Sequence, residues 1–105
     1  MVVALAYQSA VLSALHEVDN ALAAYGGDQT RTRALAETVA RNRDAEAMAR
    51  QRYASGLGDF IDVLDAERSR QQNAALLADA DTALSTDLVV LYKALGGGWN
   101  AKADQ

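Results

Sequence analysis

The chain has 105 residues, a net charge of −4 and a pI near 4.7, with no cysteine, no proline and 23 alanines. That length allows one domain at most, and the missing cysteines exclude a disulfide scaffold and a cysteine-ligated zinc or iron–sulfur site. The acidic balance argues against nucleic acid as a partner, because phosphate binding needs a basic face.

Alanine is the best helix former, followed by Leu, Gln, Glu, Arg and Met, and no proline interrupts them, so the chain reads as all-α. No stretch reaches the roughly 18 uncharged apolar residues of a membrane span. The apolar start, MVVALAYQSAVLSALHEVD, has no basic region and no small-residue cleavage site, and is not read as a signal peptide. Alanine contacts bury little area each, so two alanine-rich helices have a thin core, marginal unless they pack against something else.

The first periodic segment runs from about residue 3 to 25. Val11, Leu15, Val18, Leu22 and Tyr25 are spaced 4, 3, 4 and 3, the a/d seam of a coiled coil. Two glycines in a helix interior cost roughly 2 kcal/mol relative to alanine. Gly26-Gly27-Asp28 therefore predicts a kink at 26–28 in a nearly continuous helix over about 3–53. Its second half carries a weaker stripe of Leu35, Val39, Ala45, Met48 and Ala49 beside a dense charged face. Residues 54–59 form a tip turn: Gly56 suits a left-handed helix end, and Asp59 an N-cap with Asp62 as its reciprocal partner. The next helix covers about 60–95, with Leu77, Leu84, Leu88, Leu91 and Leu95 spaced 7, 4, 3 and 4. Gly96-Gly97-Gly98 is read as its terminator, which leaves a tail at 96–105. The expected architecture is one long antiparallel helical hairpin with unequal arms. The seam at Val11 and Leu15 then lacks a partner within the chain, which points to oligomerisation or to a larger protein.

Chemistry is sparse. His16 has no convergent partner and reads as a helix-surface residue. There is no HExxH, no Glu-x-x-His and no P-loop. No nucleophile–base set exists, so an enzyme is the weakest reading, and no cofactor or metal is expected. Asp59, Asp62 and Asp65 recur every three residues. Capping and the helix dipole account for the first two; Asp65 lies beyond the first turn, where the dipole effect fades. A cation-binding cluster, or a charged ring where several chains meet, is the functional alternative. Arg50 and Arg52, in the last turn of the preceding helix, lie near enough in sequence to pair with these carboxylates.

The run Tyr53-Ala54-Ser55-Gly56-Leu57-Gly58-Asp59-Phe60-Ile61-Asp62-Val63-Leu64-Asp65-Ala66-Glu67-Arg68-Ser69 resembles the signature of the TolC-like outer-membrane efflux proteins. Glu17-Val18-Asp19-Asn20-Ala21-Leu22 fits a stretch upstream of it. Leu91-Tyr92-Lys93-Ala94-Leu95-Gly96-Gly97-Gly98-Trp99 resembles the C-terminal end of the lipoprotein branch. The resemblance implies that the chain corresponds to the last helical hairpin of the second repeat, part of a periplasmic α-barrel in a trimeric parent. It implies that Ser55, Gly56, Leu57, Gly58 and Asp59 form the periplasmic tip that meets an adaptor protein, itself joined to an inner-membrane pump. Asp62 and Asp65 match the carboxylates that line the constricted tunnel entrance, six in a trimer. Some members tether the closed state through a basic residue in the turn. Gly58 and Asp59 stand there instead, so Arg52 becomes the candidate tether. A piece of this kind is not expected to transport alone. The alternative is a free-standing soluble coiled coil, such as an adaptor hairpin or signalling bundle.

Overall fold

A computed structural model describes the backbone over residues 2–103 and the side chains over 2–96. Two helices, α1 (Val2–Ala54) and α2 (Phe60–Ala103), are joined by the turn at 55–59, with no strand among the described residues. The expected all-α helical hairpin is therefore the observed fold. No helix is long and apolar enough to cross a membrane among the described residues.

α1 runs helical through Gly26 and Gly27. One expected boundary shifts. α2 does not stop at Gly96–Gly98 but continues to Ala103, so the expected tail from 96 is helical as far as it is described; residues 104 and 105 lie outside the described residues. Glycine tolerates a left-handed end without requiring one, and the adjoining run Trp99-Asn100-Ala101-Lys102-Ala103 contains no proline to forbid a helix. Gly56 is the one described residue that does adopt positive φ, at 77°.

By its packing the chain divides into two compact units, one formed by Met1–Gln29 with Ala83–Gln105 and the other by Thr30–Thr82. In the Thr30–Thr82 unit, the buried or half-buried positions include Thr32, Leu35, Val39, Asn42, Glu46 and Ala49 on α1. They face Val63, Ala66, Arg70, Asn73, Leu77 and Ala80 on α2. Every step is 3 or 4, so this is a heptad seam. Its tightest point is Ala80, with no exposed surface, followed by Val39 and Val63. In the other unit the same spacing selects Ala14, Val18, Ala21, Tyr25 and Asp28 on α1, and Leu84, Asp87, Leu91 and Ala94 on α2.

The expected a/d seams divide between two faces: Val18, Tyr25, Leu77, Leu84 and Leu91 lie inward. Val11, Leu15 and Leu22 are exposed, as are Leu88 and Leu95. Each helix has two apolar faces. The inner one mixes a few leucines with alanine, valine and polar residues, and the outer one carries further, exposed leucines and valines.

Candidate functional site

The turn is built by the end of α1. Leu57 N–H donates to the Arg52 carbonyl at 2.8 Å and Gly56 N–H to the Tyr53 carbonyl at 3.1 Å. This crossed pair, with Gly56 left-handed between them, is a Schellman motif. Gly58 N–H also reaches the Arg52 carbonyl, at 3.1 Å. Ser55 is fixed by its own hydroxyl, which donates to the Gln51 carbonyl at 2.7 Å. A methyl group on Gly58 would stand 3.0 Å from the Arg52 Cβ, so the turn closes onto the α1 end because residue 58 has no side chain. The rings of Tyr53 and Phe60 meet across the turn at 5.3 Å and a tilt of 54°. Such pairs contribute about 0.5–1.5 kcal/mol beyond their buried area.

This geometry leaves the tip displayed. A Schellman turn commonly tucks the residue after its glycine against the helix, but Leu57 is 81% exposed. Asp59 stands at the N-cap position of α2. The Asp62 N–H donates to the Asp59 carbonyl at 3.1 Å, so the α2 start is held by a backbone bond. Asp62 is the acidic residue in the first turn of α2, where a carboxylate is favoured by the helix dipole.

Asp62 and Asp65 are both exposed, and neither forms an ion pair among the described residues. Asp62 shares a shallow groove of about 280 Å³ with Ala45, Met48, Ala49, Arg52 and Gly58. The structure thus brings Arg52 and Asp62 to one groove without an ion pair between them. Arg50 does not turn to these aspartates. It donates to Glu46 Oε1 at 3.0 Å and lies 3.9 Å from Glu67. The reason is helical spacing: Glu46 lies four residues before Arg50 on the same face. His16 is exposed, and no group of three or more metal-ligating side chains gathers among the described residues.

The strongest electrostatic feature was not visible as a site in the sequence. Glu46 is only 9% exposed, at a seam position. It accepts from Arg50 on its own helix and from the Arg70 Nε–H on α2. Arg50 first, and then Arg70, hold its carboxyl below the ordinary glutamate range, more than its partial burial raises it. Asn42 adds a long contact across the same seam, Nδ2 to the Ser69 carbonyl at 3.5 Å. The usable signal is the 3–4 spacing itself: continued through polar residues, it selects Asn42, Glu46 and Arg70 as well as the aliphatics.

The model of the family described as outer membrane efflux protein matches residues 3–97. The chain belongs to that family. It is 36% identical over 95 residues to outer membrane protein OprJ of Pseudomonas aeruginosa, covering 90% of this chain and 20% of OprJ. It is 38% identical over 97 residues to the solvent efflux pump outer membrane protein SrpC of Pseudomonas putida, covering 90% of this chain and 20% of SrpC. Among solved structures it is similar to the outer-membrane channel OprN, with a TM-score of 0.74 and 38% identity, covering 90% of this chain and 21% of that one. The chain thus spans about a fifth of the length of the efflux proteins it matches.

Proposed function

We propose that this chain supplies a periplasmic helical hairpin to an outer-membrane efflux channel. In that reading residues 55–59 are the contact for a periplasmic adaptor, which links the channel to an inner-membrane pump, and Asp62 and Asp65 line a gate. The observation that carries the reading is the family match over 3–97, combined with a rigid, displayed tip next to two exposed, unpaired carboxylates. The Schellman turn limits the motion of the tip, so a partner binding Leu57 pays little ordering entropy. The exposed leucines of the outer faces suit helix contacts with other hairpins of a homo-oligomer. In a trimer six carboxylates would converge at the constriction. Like charges brought together oppose closure unless cations or arginines offset them, and Arg52, beside Asp62 in the groove, is the proposed tether. The similarity to OprJ, SrpC and OprN favours this reading over a free-standing coiled-coil module.

The test is bilayer conductance of the complete channel carrying Asp62→Ala and Asp65→Ala together. Divalent-cation block should weaken, and an unchanged block would sink the gating role.

A further inference from the structure

One flank of the Thr30–Thr82 unit carries a concentration of positive charge that the tip and the gate carboxylates do not use. Arg43, Glu46, Ala47 and Arg50 from α1 and Arg70 from α2 line a shallow groove of about 320 Å³. Helical spacing brings them together. Arg43 and Arg50 stand seven residues apart and share a face of α1, and Arg70 reaches across from α2 to Glu46. Glu46 is the fixed point of the groove. Only 9% exposed, it accepts from Arg50 Nε and Nη2 and from Arg70 Nε. Two guanidinium groups are thus held in place before anything binds them.

The arginines outnumber the carboxylates that meet them. Arg50 lies 3.0 Å from Glu46 and 3.9 Å from Glu67, and Arg70 pairs with Glu46. Arg43 is exposed and forms no ion pair among the described residues. Three guanidinium groups therefore stand against two carboxylates, in a chain whose net charge is −4. A guanidinium has five N–H donors, and the bonds to Glu46 leave donors unused on both Arg50 and Arg70. One further carboxylate balances the charge and matches the planar fork of arginine. A groove this shallow encloses little of a free small anion, whereas small ligands take concave sites that bury most of their surface. A helix lying along the flank does cover it, and by excluding water it strengthens each charge pair beneath.

We propose that this groove docks a carboxylate carried by a neighbouring hairpin of the assembled channel, an Asp or Glu seated among Arg43, Arg50 and Arg70. The inference rests on the channel reading above and adds a lateral contact to it. The contact is separate from the gate carboxylates. Asp62 lies in a different groove, with Ala45, Met48, Ala49, Arg52 and Gly58, and the two grooves share no residue. Their α1 residues fall on opposite sides of the Glu46 position around the helix. The hairpin therefore has one basic flank and one flank that carries Asp62.

The test compares the complete channel with its Arg43 variants. Arg43→Gln should leave the melting midpoint of the 105-residue chain unchanged, because Arg43 has no ion-pair partner within the hairpin. The same change should lower the temperature at which the complete channel dissociates into protomers. Arg43→Glu should lower that temperature further, and added salt should shrink both differences. In an Arg43→Lys channel, carbodiimide should join the introduced amine to an Asp or Glu of a neighbouring hairpin, which peptide mass spectrometry identifies. Unchanged dissociation of the Arg43→Gln channel would overturn the proposal. So would the absence of any such amide bond, or one formed only to Glu46 or another carboxylate of the same hairpin. These results leave the channel reading standing, since its test is divalent-cation block at Asp62 and Asp65; a protein that forms no conducting channel would overturn both.

Discussion

The two units use the same 3–4 spacing but carry opposite kinds of charged layer. The seam of Thr30–Thr82 holds Glu46 between Arg50 and Arg70, a complementary cluster. In the seam of 1–29 with 83–105, Asp28 and then partial burial hold the Asp87 carboxyl above the ordinary aspartate range. A complementary layer is strongest when its carboxylate is ionised; a seam that raises its carboxyl is strongest when that carboxyl holds a proton. The difference shows how a thin, alanine-rich hairpin can gain specificity. Where buried apolar area is small, a few polar seam residues fix which positions meet and decide how each region responds to its surroundings.

Substitutions at the seams and the turn put that contrast to the test. The largest loss is expected from Ala80→Leu, because Ala80 has no exposed surface. Overpacking of this kind costs about 1–3 kcal/mol, visible as a lower thermal midpoint, whereas truncating exposed Leu88 to alanine should change stability by no more than about 0.5 kcal/mol. Equal effects at the two positions would mean that the inward seam has been assigned to the wrong face. Next comes the turn. Gly56→Val forces a branched side chain into positive φ, which costs about 1–2 kcal/mol, read in the same melts. Smaller again is Tyr53→Leu, which removes the ring contact to Phe60 and should cost about 0.5–1.5 kcal/mol, with a matching loss for Phe60→Leu and no further loss in the double variant beyond their shared contact. The charged layer is probed by reversal: Arg70→Glu should lower the melting midpoint, and adding Glu46→Arg should recover part of it. A double variant no better than Arg70→Glu alone would mean that the cross-helix pair contributes nothing to the seam.

Much of this molecule was legible in its sequence. Alanine content and missing prolines give the helices. Gly56 marks the left-handed residue, and the run from Tyr53 to Ser69 carries the family resemblance. The inward face was legible in part: apolar spacing picks out Val18, Tyr25, Leu35, Val39, Ala49, Leu77, Leu84 and Leu91, all buried or half-buried in the seams. The same spacing also selects Val11, Leu15 and Leu22, and Leu88 and Leu95, because those too are large aliphatics at heptad intervals. They face outward, since each helix also presents an apolar surface away from its partner within the chain. The real seam passes through Asp28, Asn42, Glu46, Arg70 and Asp87, residues that a hydrophobic template skips. The partner of Arg50 was misread for a related reason. Proximity in sequence to the tip aspartates suggested pairing there, but the helical i, i+4 relation to Glu46 is the shorter reach. Gly96–Gly98 misled because glycine marks an end only where the chain turns, and here it runs on as helix.

The two seams should respond to acid in opposite directions. Glu46, held below its ordinary value, contributes stability above that value and loses it as pH falls through the lowered folded value. Asp87, held above its ordinary value, does the reverse. Amide protection factors measured residue by residue in the full chain, from neutrality into the acid range, should therefore diverge. Protection over 84–94 should first rise as pH falls, and protection over 35–49 should drop at lower pH. Parallel changes in the two regions, in either direction, would contradict the opposite charge logic of the two seams.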